Sequence, residues 1–129
     1  MARPQVILAL DSGALIAAEK DPRVEALIRK WLREGAQFLI PAPIIAESIR
    51  GKSQDAAANR LIKAIRNVVD TNEAIARNAG ARLGSKRSPR TIDALVVATA
   101  EAHYATDIVT TDPKNIRDLA SETLNVIAL

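Results

Sequence analysis

The apolar residues of this chain alternate between short continuous runs and longer stretches at helical spacing. The run VILAL at 6–10 reads as a strand buried on both faces, as in a parallel sheet. Residues 12–19 read as a helix. In DPRVEALIRKWLREG, Val24, Leu27, Ile28, Trp31 and Leu32 form one apolar stripe. Asp21 is a favoured cap, Pro22 fits a first helical turn, and Gly35 suits the stop. QFLI at 37–40 is a second strand, followed by the short helix PIIAESIRG opened by Pro43. Between 54 and 66, Ala58, Leu61, Ile62 and Ile65 mark another helical stripe, and NVVD is a brief third strand. Residues 72–83 read as a helix ended by Gly84. The basic turn GSKRSPR leads to a helix over 91–104, apolar nearly all round and therefore expected at the centre of the fold. DIVTT is a fourth strand, 113–120 a helix and NVIAL a terminal strand. This alternation predicts an α/β fold on a parallel sheet of about five strands, with right-handed crossovers.

Length changes the picture only by limiting it, since 129 residues suit a single domain spanning 1–129. Hydrophobic residues are 48% and aromatics 2%, so the core must be aliphatic. No apolar run approaches the length of a membrane span. The opening MARPQVILAL lacks a small-residue cleavage site and is not read as a leader, which makes a cytoplasmic location the expectation. With no cysteine, disulfides and thiolate metal sites are excluded. A net charge of +3 permits an anionic partner without requiring one.

The chemistry lies in the acids. Asp11 closes the first strand and Asp112 follows the fourth. Strand C-terminal ends of a parallel sheet share one edge, where ligands bind. Either acid is equally a helix cap, and the run IVTTDPKNI leaves Asp112 open between the two roles. Glu47, within PIIAESIR, is either a surface acid or part of a site. Asp93, on a helix with almost no polar face, is either a favourable charge near an N-terminus or a functional group. Gathered together, these carboxylates would repel one another. A divalent cation relieves that repulsion, and an all-oxygen donor set favours Mg²⁺ or Mn²⁺ over zinc.

The segments LALDSGALIAA, PAPIIAESIRG, RTIDALVVATA and IVTTDPKNIRDL together resemble the PIN-domain family, in particular VapC-type toxins of toxin–antitoxin pairs. The resemblance covers essentially the whole chain. It implies a three-layer α/β/α sandwich on a parallel sheet. It also implies a metal-dependent endoribonuclease that leaves 5′-phosphate and 3′-hydroxyl ends, a homodimer, and a cognate antitoxin that blocks the site. Carried over by position, the catalytic quartet is Asp11, Glu47, Asp93 and Asp112, with Asp11, Asp93 and Asp112 as metal ligands. Ser12 and Thr111 correspond to hydroxyls that bond substrate, water or a neighbouring carboxylate. The chain departs from many relatives at Asn115, where they carry a further acid; metal affinity is what that departure bears on.

An acidic site needs cations to hold RNA. Arg82, Lys86, Arg87 and Arg90, just before Asp93, are candidates for phosphate contacts, against the plainer reading of a solvated charged loop. The run GKS at 51–53 lacks the glycine and preceding strand of a P-loop and is not one. His103 shares a helical face with Leu95, Val96 and Thr99 and reads as packing, and Trp31 reads as core or interface. Two alternatives remain. An inactive PIN-like module would bind RNA or protein without cleaving. A receiver domain would need paired acids after the first strand, where LALDSG offers one.

Overall fold

A computed structural model describes residues 5–129. The first four residues, part of the stretch judged above not to be a leader, lie outside the described residues. The sheet has five strands in the order β3-β2-β1-β4-β5: β1 (Ile7–Leu10), β2 (Gln37–Pro41), β3 (Val68–Val69), β4 (Asp107–Thr110) and β5 (Asn125–Ala128). Every pairing is parallel. The helices are α1 (Ser12–Lys20), α2 (Pro22–Arg33), α3 (Pro43–Ser48), α4 (Ala56–Ile65), α5 (Glu73–Lys86), α6 (Thr91–Ala102) and α7 (Pro113–Leu119). They flank the sheet in two packed groups, α1 with α2, α3 and α4, and α6 with α5 and α7.

The continuous apolar runs became the central strands for the reason their composition gives: both faces are covered. Leu8, Ala9, Leu10, Phe38, Leu39, Ile40, Ile108 and Val109 are all buried. α6 supplies Ala94, Val96, Val97, Ala98 and Ala100 to the same core, as its all-round apolarity predicts. β3 is short and lies at the sheet edge, with Val68 exposed. α2 begins where its caps indicate, the Asp21 carboxylate accepting from the Arg23 N–H at 3.0 Å. Its stripe is less buried than the pattern suggests, with Ile28 alone fully enclosed and Trp31 half-buried against Phe38 at 6.3 Å between ring centroids.

Two helix ends differ from expectation. α5 runs through Gly84 to Lys86 because Arg87 takes the left-handed conformation (φ 50°) and closes the helix. The Ser88 N–H then donates to the Leu83 carbonyl at 3.0 Å, satisfying an end carbonyl without any glycine. α6 stops at Ala102 rather than 104, since Tyr104 is also left-handed (φ 62°) and Ala105 N–H reaches back to Ala100 at 2.9 Å. His103 sits at that end, half-buried. The GKS run is a turn before α4: Gly51 has φ 74°, and Asp55 accepts from the backbone N–H groups of Arg50 and Lys52. Among the described residues no helix is long and apolar enough to cross a membrane.

The chain winds outward from β1 through β2 to β3, then restarts on the other side with β4 and β5. The C-terminal edge between β1 and β4 is therefore a topological switch point, where open α/β sheets bind ligands. Ile108, fully buried in β4, tests the core. Ile108→Ala should cost roughly 2–5 kcal/mol, read as a lower urea midpoint. Val68→Ala on the exposed edge should stay within about 0.5 kcal/mol of the unsubstituted chain.

Candidate active site at the switch point

The register of β1 with β4 pairs Leu10 with Val109, so both strands end at the same level. Asp11 follows β1, its N–H still on the Val109 carbonyl at 2.9 Å. It is buried, and its carboxylate accepts the Ser12 N–H at 2.8 Å and the Thr110 hydroxyl at 2.8 Å. The first bond caps α1 and the second ties Asp11 to β4, so one carboxylate serves the fold and the site together. Ser12 is the first residue of α1, half-buried beside it.

Asp112 stands at the N-cap position of α7, yet its side chain makes no capping bond. Its backbone carbonyl takes the Ile116 N–H at 3.3 Å. The carboxylate is instead held by Asn115, whose side-chain N–H donates at 2.7 Å, and by Arg90 at 3.5 Å. At position 115 this chain thus has a donor that orients Asp112.

Glu47 lies near the end of α3, and its Oε1 is buried without a hydrogen-bond partner. Such an oxygen is costly unless something fills the space it faces. Asp93 lies in the first turn of α6, bonded at 3.4 Å to Arg90.

The acids feel one another. Burial pushes the Asp11 carboxyl above its ordinary range; the bonds from Thr110 and Ser12 pull it back, and repulsion from Asp93 and Glu47 pushes it further up. Burial also raises Asp93; Arg90 opposes this, and Asp112 and Glu47 add to it. All four carboxylates thus lie in one electrostatic neighbourhood. Among the described residues, however, no three His, Cys, Asp or Glu side chains converge on one point as ligands of an ion would. A cation shared by three of them would have to draw them inward. The chemistry of the set still fits a hard divalent ion. The donors are all carboxylate oxygens, two are pushed toward the protonated form by burial and by their neighbours' charge, and the Glu47 oxygen is unpartnered.

The hydroxyl on the Asp11 carboxylate is one that the sequence reading did not name. Thr110, not Thr111, bonds Asp11, and the same hydroxyl accepts the Asp112 N–H at 2.9 Å. Thr111 is exposed and lies against α1, so close that a methyl group on Gly13 would overlap its hydroxyl. The absence of a side chain at Gly13 is what lets the end of β4 approach α1. Period-two alternation, which groups Thr110 with Asp112 and separates Thr111 from both, was the signal available in the sequence.

The basic segment divides. Arg82 is engaged in the fold, bonded to the Glu101 carboxylate at 2.6 Å and the Leu119 carbonyl at 3.0 Å, and is not free for phosphates. Arg90 lies on the acids themselves. Lys86 and Arg87 are exposed and, among the described residues, form no ion pair.

A sequence profile of the PIN domain matches residues 8–122. No curated protein matches the chain by sequence. Several solved structures share its fold. The crystal structure of VapBC2 from Rickettsia felis, bound to a DNA fragment from their promoter, has a chain that superposes with a TM-score of 0.74 at 15% identity, over 96% of this chain and 99% of that one. DNA-bound VapBC from Salmonella typhimurium gives 0.69 at 17%, over 95% and 97%. A toxin–antitoxin complex from Klebsiella pneumoniae gives 0.67 at 21%, over 91% and 94%.

The raised Asp11 carboxyl has a measurable consequence. The native state holds that proton more tightly than the unfolded chain, so stability falls as pH rises from the ordinary carboxylate value through the raised one. At neutral pH the ionised group is a standing cost. Asp11→Asn, which keeps a cap residue, should melt a few degrees above the unsubstituted protein at pH 7 without divalent ions, and the gap should close as pH falls toward 4. An equal or lower melting temperature at pH 7 would contradict the burial argument.

Proposed function

The chain belongs to the PIN domain family, and from that membership we propose that it is a Mg²⁺- or Mn²⁺-dependent endoribonuclease acting as the toxin of a toxin–antitoxin pair. One observation carries the reading: carboxylates from the end of β1, α3, α6 and the end of β4 share one electrostatic neighbourhood at the switch point. Asp11, Asp93 and Asp112 are the residues assigned to hold the ion, and Glu47 completes the catalytic set. A bound divalent ion supplies a more acidic water and neutralises charge developing on a phosphodiester.

The chain's own residues would do the rest. Thr110 and Ser12 fix the Asp11 carboxylate through hydrogen bonds, leaving it little rotational freedom. Asn115 orients Asp112. The unpartnered Glu47 oxygen is the acceptor assigned to orient an attacking water. Lys86 and Arg87, free of acidic partners among the described residues, are the assigned phosphate contacts. A cognate antitoxin as partner is supported by the likeness to a chain of the Klebsiella pneumoniae toxin–antitoxin complex. A homodimer in the cytoplasm remains part of the same proposal.

With Mg²⁺ present, RNA incubated with the protein should be cut, and EDTA should stop it. Asp93→Asn should lose cleavage by at least about a hundredfold while its circular dichroism is unchanged; wild-type cleavage by that variant would sink the mechanism. Asp112→Ser should behave alike, because the side chain makes no capping bond for serine to replace. RNA bound but left uncut with and without metal would point to a binding module instead.

The phosphate contacts are tested by salt. Lys86→Ala combined with Arg87→Ala should flatten the dependence of log K for RNA on log salt by about one to two units. An unchanged slope would return the loop to ordinary solvated surface.

A further inference from the structure

Among the described residues, Arg90 is the one cation that forms an ion pair with the acids of the site. Its Nη1 donates to Asp93 Oδ2 at 3.4 Å and to Asp112 Oδ2 at 3.5 Å, spanning the first turn of α6 and the end of β4. Both contacts are long for charge-assisted bonds. The side chain is 47% exposed, and among the described residues it has no other partner. The backbone beneath it is better held: its N–H donates to the Ser88 hydroxyl, and the Thr91 N–H reaches the Pro89 carbonyl at 3.0 Å. A fixed backbone thus carries a loosely held, half-exposed guanidinium at the mouth of the acidic edge.

That arrangement suits displacement. A guanidinium keeps its charge at any physiological pH, so it neutralises the acids permanently while it stays in place. It uses one oxygen from each of two carboxylates assigned above to the metal. A divalent ion drawing on those oxygens would meet a positive charge at close range, and the two repel. One must yield, and the half-exposed arginine has open solvent to move into.

Resting on the metal-binding reading, we propose that Arg90 is a resident counter-cation of the acidic edge. In this role it holds Asp93 and Asp112 together in the metal-free protein and must swing away before a divalent ion can bind. Arg90 is then a gate that sets the metal concentration at which the site fills, rather than a phosphate contact.

The test measures metal binding directly. Mn²⁺ is titrated calorimetrically, at fixed ionic strength and without RNA, into the full chain, Arg90→Gln and Arg90→Lys. Arg90→Gln should bind Mn²⁺ roughly three- to tenfold more tightly, since each half-exposed pair it removes is modest. Its melting temperature should rise further on adding Mn²⁺ than that of the unsubstituted chain. Arg90→Lys keeps the charge and should lie near the unsubstituted affinity. Unchanged Mn²⁺ affinity in Arg90→Gln, with weaker RNA binding, would make Arg90 a phosphate contact and overturn the gate. Weaker Mn²⁺ binding would overturn it too, because Arg90 would then be organising the ligands. If none of the three binds Mn²⁺, the metal-binding reading falls and takes the gate with it.

Discussion

The Thr110 hydroxyl joins the two strand ends on which the acidic edge is built. It donates to the Asp11 carboxylate and accepts the Asp112 N–H, each within 3 Å. Parallel pairing of β1 with β4 brings those ends level, and the absence of a side chain at Gly13 lets them close. A buried carboxylate is expensive unless it is bonded. Thr110 and the Ser12 N–H between them meet that requirement for Asp11, and the geometry of the remaining acids is arranged around it.

The site stays short of positive charge. Asp11 and Asp93 are pushed toward the neutral form, a Glu47 oxygen is buried without a partner, and among the described residues only Arg90 pairs with the site's acids. The fold thus concentrates like charge at one edge and stabilises it incompletely. Strain of this kind is common where a protein handles a cation or a proton, because a fully satisfied site would have nothing left to bind. Arg82, by contrast, is well bonded to Glu101 and Leu119 and joins α5, α6 and the end of α7. Two arginines from one basic segment therefore do unrelated work, and their burial tells them apart.

Much of the architecture was legible in the chain because its signals are local. The apolar runs of β1, β2 and β4 carry their burial in their composition, and Asp21 with Pro22 marks the start of α2. Helix ends were less legible. Gly84 looked like a stop, but Arg87 ends α5 in a conformation that its residue type disfavours. The bonds that close the helix there run from Arg87 and Ser88 back to Gly84 and Leu83.

The sequence by itself determined the alternation of elements, and with it the presence of Asp11 and Asp112 at strand ends. It also carried Glu47 and Asp93 on stretches of helical pattern, where an acid is not expected to be idle. What it could not decide was who touches whom. Thr110 and Thr111 are adjacent and chemically identical; alternation sets them on opposite faces, but only the pairing of β1 with β4 brings one to Asp11 and lays the other against Gly13. Asp112 is open in the sequence between a cap and a site carboxylate, and in the fold its side chain makes no capping bond and is held by Asn115 and Arg90. Arg90 reads as a candidate phosphate contact or a solvated surface cation, and only the approach of α6 to the end of β4 sets it between two acids. The bonds of Thr110 to Asp11 and of Arg90 to Asp112 join residues far apart in the chain, and their distances follow from how helices and strands pack.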